Sequence, residues 1–485
     1  MAIVHFQPEF RPALPCVFGA KDYREFREAL IEMDRILDKS GAELRLIGQK
    51  VEAHGNPRHI KTLRLALRYS ILLAITGLSY RDLACRVADS HLFQWFTYTG
   101  FIDAVRPVSK SSIERFEKLF SADEIAALIH GLNQAVAERA GAQKLLYRDA
   151  ALAMDRIFAD TTCVKADIHF PVDWVLLRDA TRTLVQAIIL VRGQGLKHRI
   201  RPPEEFIREM NKLCIEMTHT RKKKDASKAR KTIFRRMKTL MKTIAGHARN
   251  YRAELIIHRK QLEWSRRETW AVLKRIKNIL GQLPAAIRQA HERIIGERRV
   301  DNADKILSLY DPDLHVIVRG KAGAEVEFGN GLYLAEQADG LIVDWDFMKD
   351  QPSADTDLVA PSLERLTENY GIPASYTADR GFDSASNRAE LETSGIYNGI
   401  CPRSVPALEE RLEDKTFRLL QKRRGSTEGR IGLFKSAYLG RPLRAKGYEH
   451  RKQRIAWCIL GHNLWKLATM AAQKRAEIES ELAAA

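Results

Sequence analysis

Apolar residues recur every three or four positions from Ile60 to Ile75, the spacing of a helix that buries one face. Gly77 follows as a stop signal, and Ser79–Asp82 (SYRD) has the form of a capping box that opens another helix. Ser111–Glu114 (SSIE) and Ser121–Glu124 (SADE) repeat that signature ahead of further apolar-periodic stretches. The chain up to about residue 148 therefore reads as a compact bundle of short helices. Such a bundle suits a helix-turn-helix module, or one that only mediates dimer contacts.

The pattern changes at residue 154. MDRIFADTTCVKADI is extended in character, whereas VDWVLLRDATRTLVQAIILV returns to helical spacing with Asp173 as its cap. A strand feeding a helix is the simplest assignment. Residues 195–300 are polar and helix-favouring. KILSLYDPDLHVIVRG, EVEFGNGLYLAEQ and GLIVDWDFM then form β-prone runs separated by turn residues, which predicts adjoining antiparallel strands. PSLERLTENYG reads as a helix ended by Gly371, and ASYTADRGFDS as a buried strand that runs into a loop at Asp379. A helix from Ser384, the strand-like YNGICP and a helical tail from Thr416 complete the chain. The expected class is α/β: a mixed-sheet core interrupted by a helical insertion after its first strand. The expected boundaries are 1–148 for the N-terminal helical domain, 149–194 and 301–470 for the two parts of the core, 195–300 for the insertion and 471–485 for a tail.

Composition narrows the function. The 485 residues carry 80 Lys and Arg against 61 Asp and Glu, a formal charge of +19. A surplus of that size repels itself unless a polyanion lies opposite. It is concentrated between Arg221 and Arg252, where thirteen basic residues, among them Lys222, Lys223, Lys224, Arg235 and Arg236, accompany one acid, Asp225. The stretch is either a solvated helical face or a DNA contact that releases condensed counterions. No apolar run approaches the length needed to span a bilayer, and MAIVHFQPEF lacks a signal-peptide pattern, so no membrane association is expected. Six scattered cysteines form no CxxC pair, which argues against a zinc site or a disulfide framework. GxxxxGK[ST] is absent, so no nucleotide cofactor is implied.

A basic protein without a nucleotide site can still cut and exchange phosphodiesters, because neither step is uphill. In-line attack piles charge on the attacking, leaving and non-bridging oxygens, which two divalent ions can stabilise. Hard ions such as Mg²⁺ or Mn²⁺ take oxygen ligands, so a few carboxylates at the ends of separate elements suffice. Asp160 closes IFAD at the expected rim of the first strand, Asp379 closes SYTAD at the rim of a later one, and Glu428 falls near the start of the helix containing EGRIGLFK.

These segments resemble bacterial insertion-sequence transposases of the DDE type, most closely the ISNCY-like group, whose catalytic core is ribonuclease-H-like. The matching segments are ADTTCVKADIHFPVD, SLYDPDLHVIVRGKAGAEVEFG, TADRGFDSASN and EGRIGLFK with LGRPLRAKG; SYRDLACRVADS and SKSSIERF extend the likeness to the N-terminal helices. The resemblance implies that Asp160, Asp379 and Glu428 bind two divalent metal ions and that the substrate is double-stranded DNA, both element ends and target. It further implies a homodimer or higher oligomer on DNA and a bacterial cytoplasm, with nucleoid association when DNA is bound. Arg424, Glu428 and Lys435 reproduce the R-x3-E-x6-K spacing of a related signature, which on a continuous helix puts cations beside the acid. The tyrosine of that signature falls on Gln421, and Gly425 and Gly429 weaken the helix, so Arg424 is open to lying in the preceding loop. Arg380, Arg441 and Arg444, in the matching segments, join them as candidate DNA contacts.

Rivals exist at each position. Asp155, Asp167 and Asp173 flank Asp160 and suit caps, turns or solvent. Asp383 suits the cap of the helix near Ser384, and Asp344 and Asp346 suit the wet face of a strand. His169 suits turn packing, and Trp457 and Trp465 sit at core spacing. Two other functions remain open: a nuclease that cuts without strand transfer, and a non-catalytic DNA-binding regulator descended from a transposase.

Overall fold

The computed structural model describes residues 11–52, 57–101, 104–196, 198–220, 225–321 and 324–484. Over the described residues the protein is mixed α/β, 66% helical, with an open mixed sheet of six strands. It divides into two compact units, one comprising residues 1–165, 331–348 and 352–485, the other residues 166–330 and 349–351.

The first unit opens with α1 (Lys21–Lys39), α2 (Ala42–Glu52), α3 (Pro57–Thr76), α4 (Tyr80–Asp89), α5 (His91–Thr97), α6 (Lys110–Glu117), α7 (Ala122–Ala137) and α8 (Arg139–Leu146). The local signals are honoured: Gly77 takes φ +63° after α3, Ser79 accepts the Asp82 N–H, and Ser121 and Glu124 form a reciprocal capping box. The SSIE helix starts earlier than its motif suggests, because Ser109 is the residue that caps α6.

Next in the chain come β1 (Arg156–Lys165), then α9 (Asp173–Gly193), α10 (Pro203–His219), α11 (Ala226–His258) and α12 (Arg266–Ile294). The strands β2 (His315–Lys321), β3 (Ala324–Glu336) and β4 (Ile342–Phe347) precede α13 (Val359–Tyr370), β5 (Ser375–Thr377), α14 (Ala385–Thr393) and β6 (Tyr397–Asn398). The chain ends with α15 (Val405–Glu413), α16 (Lys415–Phe434) and α17 (Tyr448–Ala484). The sheet order is β2-β3-β1-β5-β6, with β4 also on β3. β2, β3 and β4 pair antiparallel, as the turn-separated runs predict, while β1, β5 and β6 run parallel.

Residues 1–148 are not a unit of their own. α17 carries the consecutive buried residues Ile455, Ala456, Trp457, Cys458, Ile459 and Leu460, and a helix apolar all round belongs at the centre of a core. α1, α3, α7 and α8 pack on it, and their apolar residues share one cluster with those of the sheet. At the α3 crossing, a Cβ added to Gly461 would stand 3.1 Å from Ala74 Cβ, so a side chain there would push the helices apart. α17 also runs to Ala484, through the expected tail.

In the second unit α9, α10, α11 and α12 enclose a separate apolar core that includes Leu184, Phe234, Met241, Tyr251 and Ile276. α9 thus belongs with the insertion, which begins earlier than residue 195. Asp173 is the first residue of α9 and not its cap; its buried carboxylate accepts from Gln289 (2.9 Å) and Arg293 (3.0 Å). The basic run follows helical geometry. Phe234, Met237, Leu240, Met241 and Ile244 of α11 are buried, while Arg235, Arg236, Lys238, Lys242 and Arg249 are exposed.

Candidate active site

The candidate site lies within the first unit and is built on β1. Side chains alternate along a strand, so Phe158, Asp160 and Thr162 share one face. Two tethers bind that face to α16 and the turn that follows it: the Arg423 guanidinium lies 4.5 Å from the Phe158 ring centroid, and Lys435 Nζ donates to Thr162 Oγ1 at 2.9 Å. Asp160 sits between the tethers. Its neighbour is set by register. β1 and β5 pair with Phe158 opposite Thr377, and two further residues along each parallel chain bring Asp160 level with Asp379.

The sequence expectation put Asp160 at the end of β1, but it lies mid-strand. Thr161, Thr162, Cys163 and Val164 prolong β1, whereas its partner β5 stops at Thr377, before Asp379. Asp160 is therefore half-buried where its neighbour has already left the sheet. Asp379 begins a tight turn and accepts the Gly381 N–H at 2.8 Å. The turn is fixed from outside: Arg403 donates to the carbonyls of Arg380 and Gly381, and Asn387 to those of Phe382 and Thr356.

Glu428 is not near a helix start. α16 runs from Lys415, capped by Asp414, so Glu428 lies in its second half and Arg424 is helical, not in a loop. Local propensity lost to tertiary anchoring. Gln421 donates to the carbonyls of Ala378 (3.2 Å) and Gly399 (2.6 Å), and Arg423, Thr427 and Arg430 all donate to Glu336 at the end of β3. These bonds hold the helix across Gly425 and Gly429. Gln421, Arg424 and Glu428 then follow at helical intervals on one face, linked by Arg424 Nε to Gln421 Oε1 and Arg424 Nη1 to Glu428 Oε1, both at 3.1 Å.

The three acids meet electrostatically. Burial raises the Asp160 carboxyl from its ordinary 3.8 to about 6. The Thr161 N–H and the Arg424 charge oppose that rise, and the charges of Asp379 and Glu428 add to it. Among the described residues, no three His, Cys, Asp or Glu side chains are gathered closely enough to hold a metal ion as they stand. Glu428 is the reason visible on the helix: its side chain is 59% exposed and bonded to Arg424. In chemistry the donor set fits a hard divalent cation. The oxygens are carboxylate, the buried member resists ionisation, and a cation among them would remove that resistance.

Around the triad, the other candidates have mixed fates. Lys435 reaches β1 and Arg424 reaches Glu428, as above. Arg380 is exposed beside Asp379. Arg441 donates to the Gly432 carbonyl, and Arg444 lines, with Arg441, His450 and Arg454, a cavity of about 420 Å³ between the α3–α4 turn and the start of α17. Arg235 and Arg236 lie on the exposed face of α11 in the second unit, Arg236 paired with Glu216. Lys222, Lys223 and Lys224 fall outside the described residues. Asp344 is not on a wet face: it is buried, gripped by Nε and Nη2 of Arg365 and by the Ser362 hydroxyl, while Asp346 is exposed. Asp383 does not cap α14; Ser384 does, and Asp383 pairs with Arg388 and the Arg403 N–H. His169 bonds Asp179, and Trp457 is fully buried.

One residue escaped the sequence reading. Asp355, ahead of α13, accepts from Thr161 Oγ1 at 2.9 Å. A Cβ added to Gly381 would stand 2.7 Å from Asp355 Oδ2 and 2.9 Å from Asp379 Oδ1, so the two carboxylates flank that glycine. Asp355 is thus a fourth acid at the site.

Comparison with protein-family models, with curated proteins and with solved structures returned no match to this chain. The functional reading rests on the residues themselves.

Proposed function

We propose that the chain is a DNA transposase of the DDE type with a ribonuclease-H-like core, acting as an oligomer on double-stranded DNA in the bacterial cytoplasm. One observation carries the proposal: Asp160 and Glu428, more than two hundred residues apart in the chain, lie on elements that Arg423 and Lys435 tie together, and the pairing of β1 with β5 brings Asp379 level with Asp160. The parallel pairing of β1 with β5, and the mixed sheet, are compatible with such a core.

Asp160, Asp379 and Glu428 would hold two divalent ions, Mg²⁺ or Mn²⁺, which when bound supply charge neutralisation and a sharpened nucleophile. The chain's residues do the positioning. Arg423 and Lys435 tie α16 and the turn after it to β1, and Gln421 ties α16 to the chain just beyond β5 and β6, so Glu428 approaches from the helix while Asp160 is held on β1 and Asp379 in the turn that follows β5. Arg424 holds Glu428 until a phosphate or cation competes for either partner, and Arg380 and Lys435 offer charge to the scissile backbone. Water attacks a phosphorus at the element end, the P–O3′ bond breaks, and the 3′ oxygen leaves as a hydroxyl. That hydroxyl then attacks a target phosphodiester, so each new P–O bond replaces one broken and no nucleotide is consumed.

The test is nicking of supercoiled plasmid in Mg²⁺ or Mn²⁺, together with joining of a precut duplex end to that plasmid. The proposal expects both, and expects D160N, D379N and E428Q to lose both while retaining DNA affinity. Nicking without joining would reduce the protein to a nuclease. Neither activity, with DNA binding intact, would leave a regulator.

A further inference from the structure

Within the helical insertion, the ends of α11 and α12 form a groove that the sequence does not single out. Arg252 and Ile256 line it from α11, Arg259 and Lys260 from the turn just beyond that helix, and Arg266, Thr269, Trp270, Leu273 and Lys277 from α12. The α12 residues follow helical spacing and form one face of the helix. The cavity between them measures about 740 Å³.

Three properties distinguish this groove from a solvated helical face. First, five of its nine lining residues are Arg or Lys, and among the described residues none of the five forms an ion pair; Arg259 is bonded only to the Ile256 carbonyl. No acid lines the groove with them, and cations gathered in this way are unfavourable unless a polyanion joins them. Second, the buried Arg252 Nε has no hydrogen-bond partner, which is costly for a charged group. Third, Trp270 is 60% exposed on the same face, although its indole could bury a large apolar area. Glu268, the acid nearest along α12, is committed to capping Ser265.

We infer that this groove binds a strand of nucleic acid with unpaired bases: phosphates lie against Arg252, Arg259, Lys260, Arg266 and Lys277, and a base stacks on Trp270. A rim of cations alone would suit any phosphodiester backbone. The exposed indole beside them specifies a strand whose base faces are free, because paired bases are already stacked on their neighbours. Ile256 and Leu273 supply an apolar floor for the sugar and base edges. The inference deepens the proposed function by assigning the insertion a preference for unpaired DNA, and it requires no metal.

The experiment uses the full-length protein in EDTA, with short fluorescein-labelled oligo(dT) and a duplex of the same length, followed by anisotropy at rising salt. W270A is expected to weaken oligo(dT) binding about tenfold or more, the effect of losing a base-stacking contact, with duplex affinity changed less than about twofold. W270F should retain most of the oligo(dT) affinity. K260E with K277E should flatten the salt dependence for oligo(dT). The inference is overturned if W270A leaves oligo(dT) binding unchanged, or if the duplex loses as much affinity as the single strand. Because catalysis is silent in EDTA, these results stand apart from the nicking test of the acidic triad.

Discussion

Two carboxylates gripped or approached by α16 have opposite surroundings. Glu336, 7% exposed at the end of β3, receives both terminal nitrogens of Arg423, Nη1 of Arg430 and the Thr427 hydroxyl. Asp160, half-buried on β1, accepts among the described residues only the N–H of Thr161, and its charged neighbours include Asp379 and Glu428. One acid is bonded directly to cations by the fold, and the other has acids as well as Arg424 for charged neighbours and no cation bonded to it among the described residues. A carboxylate of the first kind stabilises the fold when its partners are complete. One of the second kind costs stability when it ionises without a cation beside it, and such groups concentrate at functional sites. The contrast separates the acid that places α16 from the acids that α16 serves.

The largest expected effect lies on the functional side. D160N, D379N or E428Q should each lower metal-dependent plasmid nicking by about a thousandfold, equivalent to about 4 kcal/mol of lost transition-state stabilisation. E336Q should alter nicking per folded molecule far less. On the structural side the order reverses. E336A takes from Arg423 and Arg430 the carboxylate they share and should destabilise the protein by about 3–5 kcal/mol in urea unfolding. An unchanged unfolding midpoint would remove Glu336 from its anchoring role.

G381A tests whether the Asp355–Asp379 pocket is as tight as the contact distances indicate. The added methyl would meet both carboxylates, so a loss of about 1–3 kcal/mol is expected, together with weaker Mn²⁺ binding. The smallest effect has the opposite sign. Because the folded-state pKa of Asp160 is raised from 3.8 to about 6, ionising it penalises the metal-free fold. That penalty is absent below pH 3.8, grows between the two values and is complete above pH 6. D160N should therefore stabilise the metal-free protein by about 1–2 kcal/mol at pH 7.5 and by nothing near pH 3.5. Stabilisation that is independent of pH would point to a cause other than charge.

The same contrast explains what the sequence made legible. Helix stops and caps are local, so Gly77, Ser79, Ser121 and Gly371 could be placed from neighbouring residues alone. Asp160, Asp379 and Glu428 could be picked out, but not their setting. Where β1 loses its partner depends on β5 being three residues long, and Arg424 stays helical because Gln421 and Arg423 bond to residues remote from them in the chain. Asp344 was misplaced because alternation marks a face without saying what covers it; here α13 covers it, with Arg365 supplied 21 residues later. Asp355 was invisible for a related reason, since an acid ahead of a helix reads as an ordinary cap. The domain boundary at 148 failed where the sequence did carry a signal: the unbroken apolar run from Ile455 to Leu460 marks α17 as a central helix that draws the N-terminal helices around it.

The central claim is that Asp160, Asp379 and Glu428 share divalent cations, and Mn²⁺ binding followed by electron paramagnetic resonance tests it without DNA or catalysis. The account predicts bound Mn²⁺ in the wild-type protein at pH 7.5, and its loss in each of D160N, D379N and E428Q, with E428Q also freeing Arg424. Wild-type affinity for Mn²⁺ in any one of the three variants would contradict it.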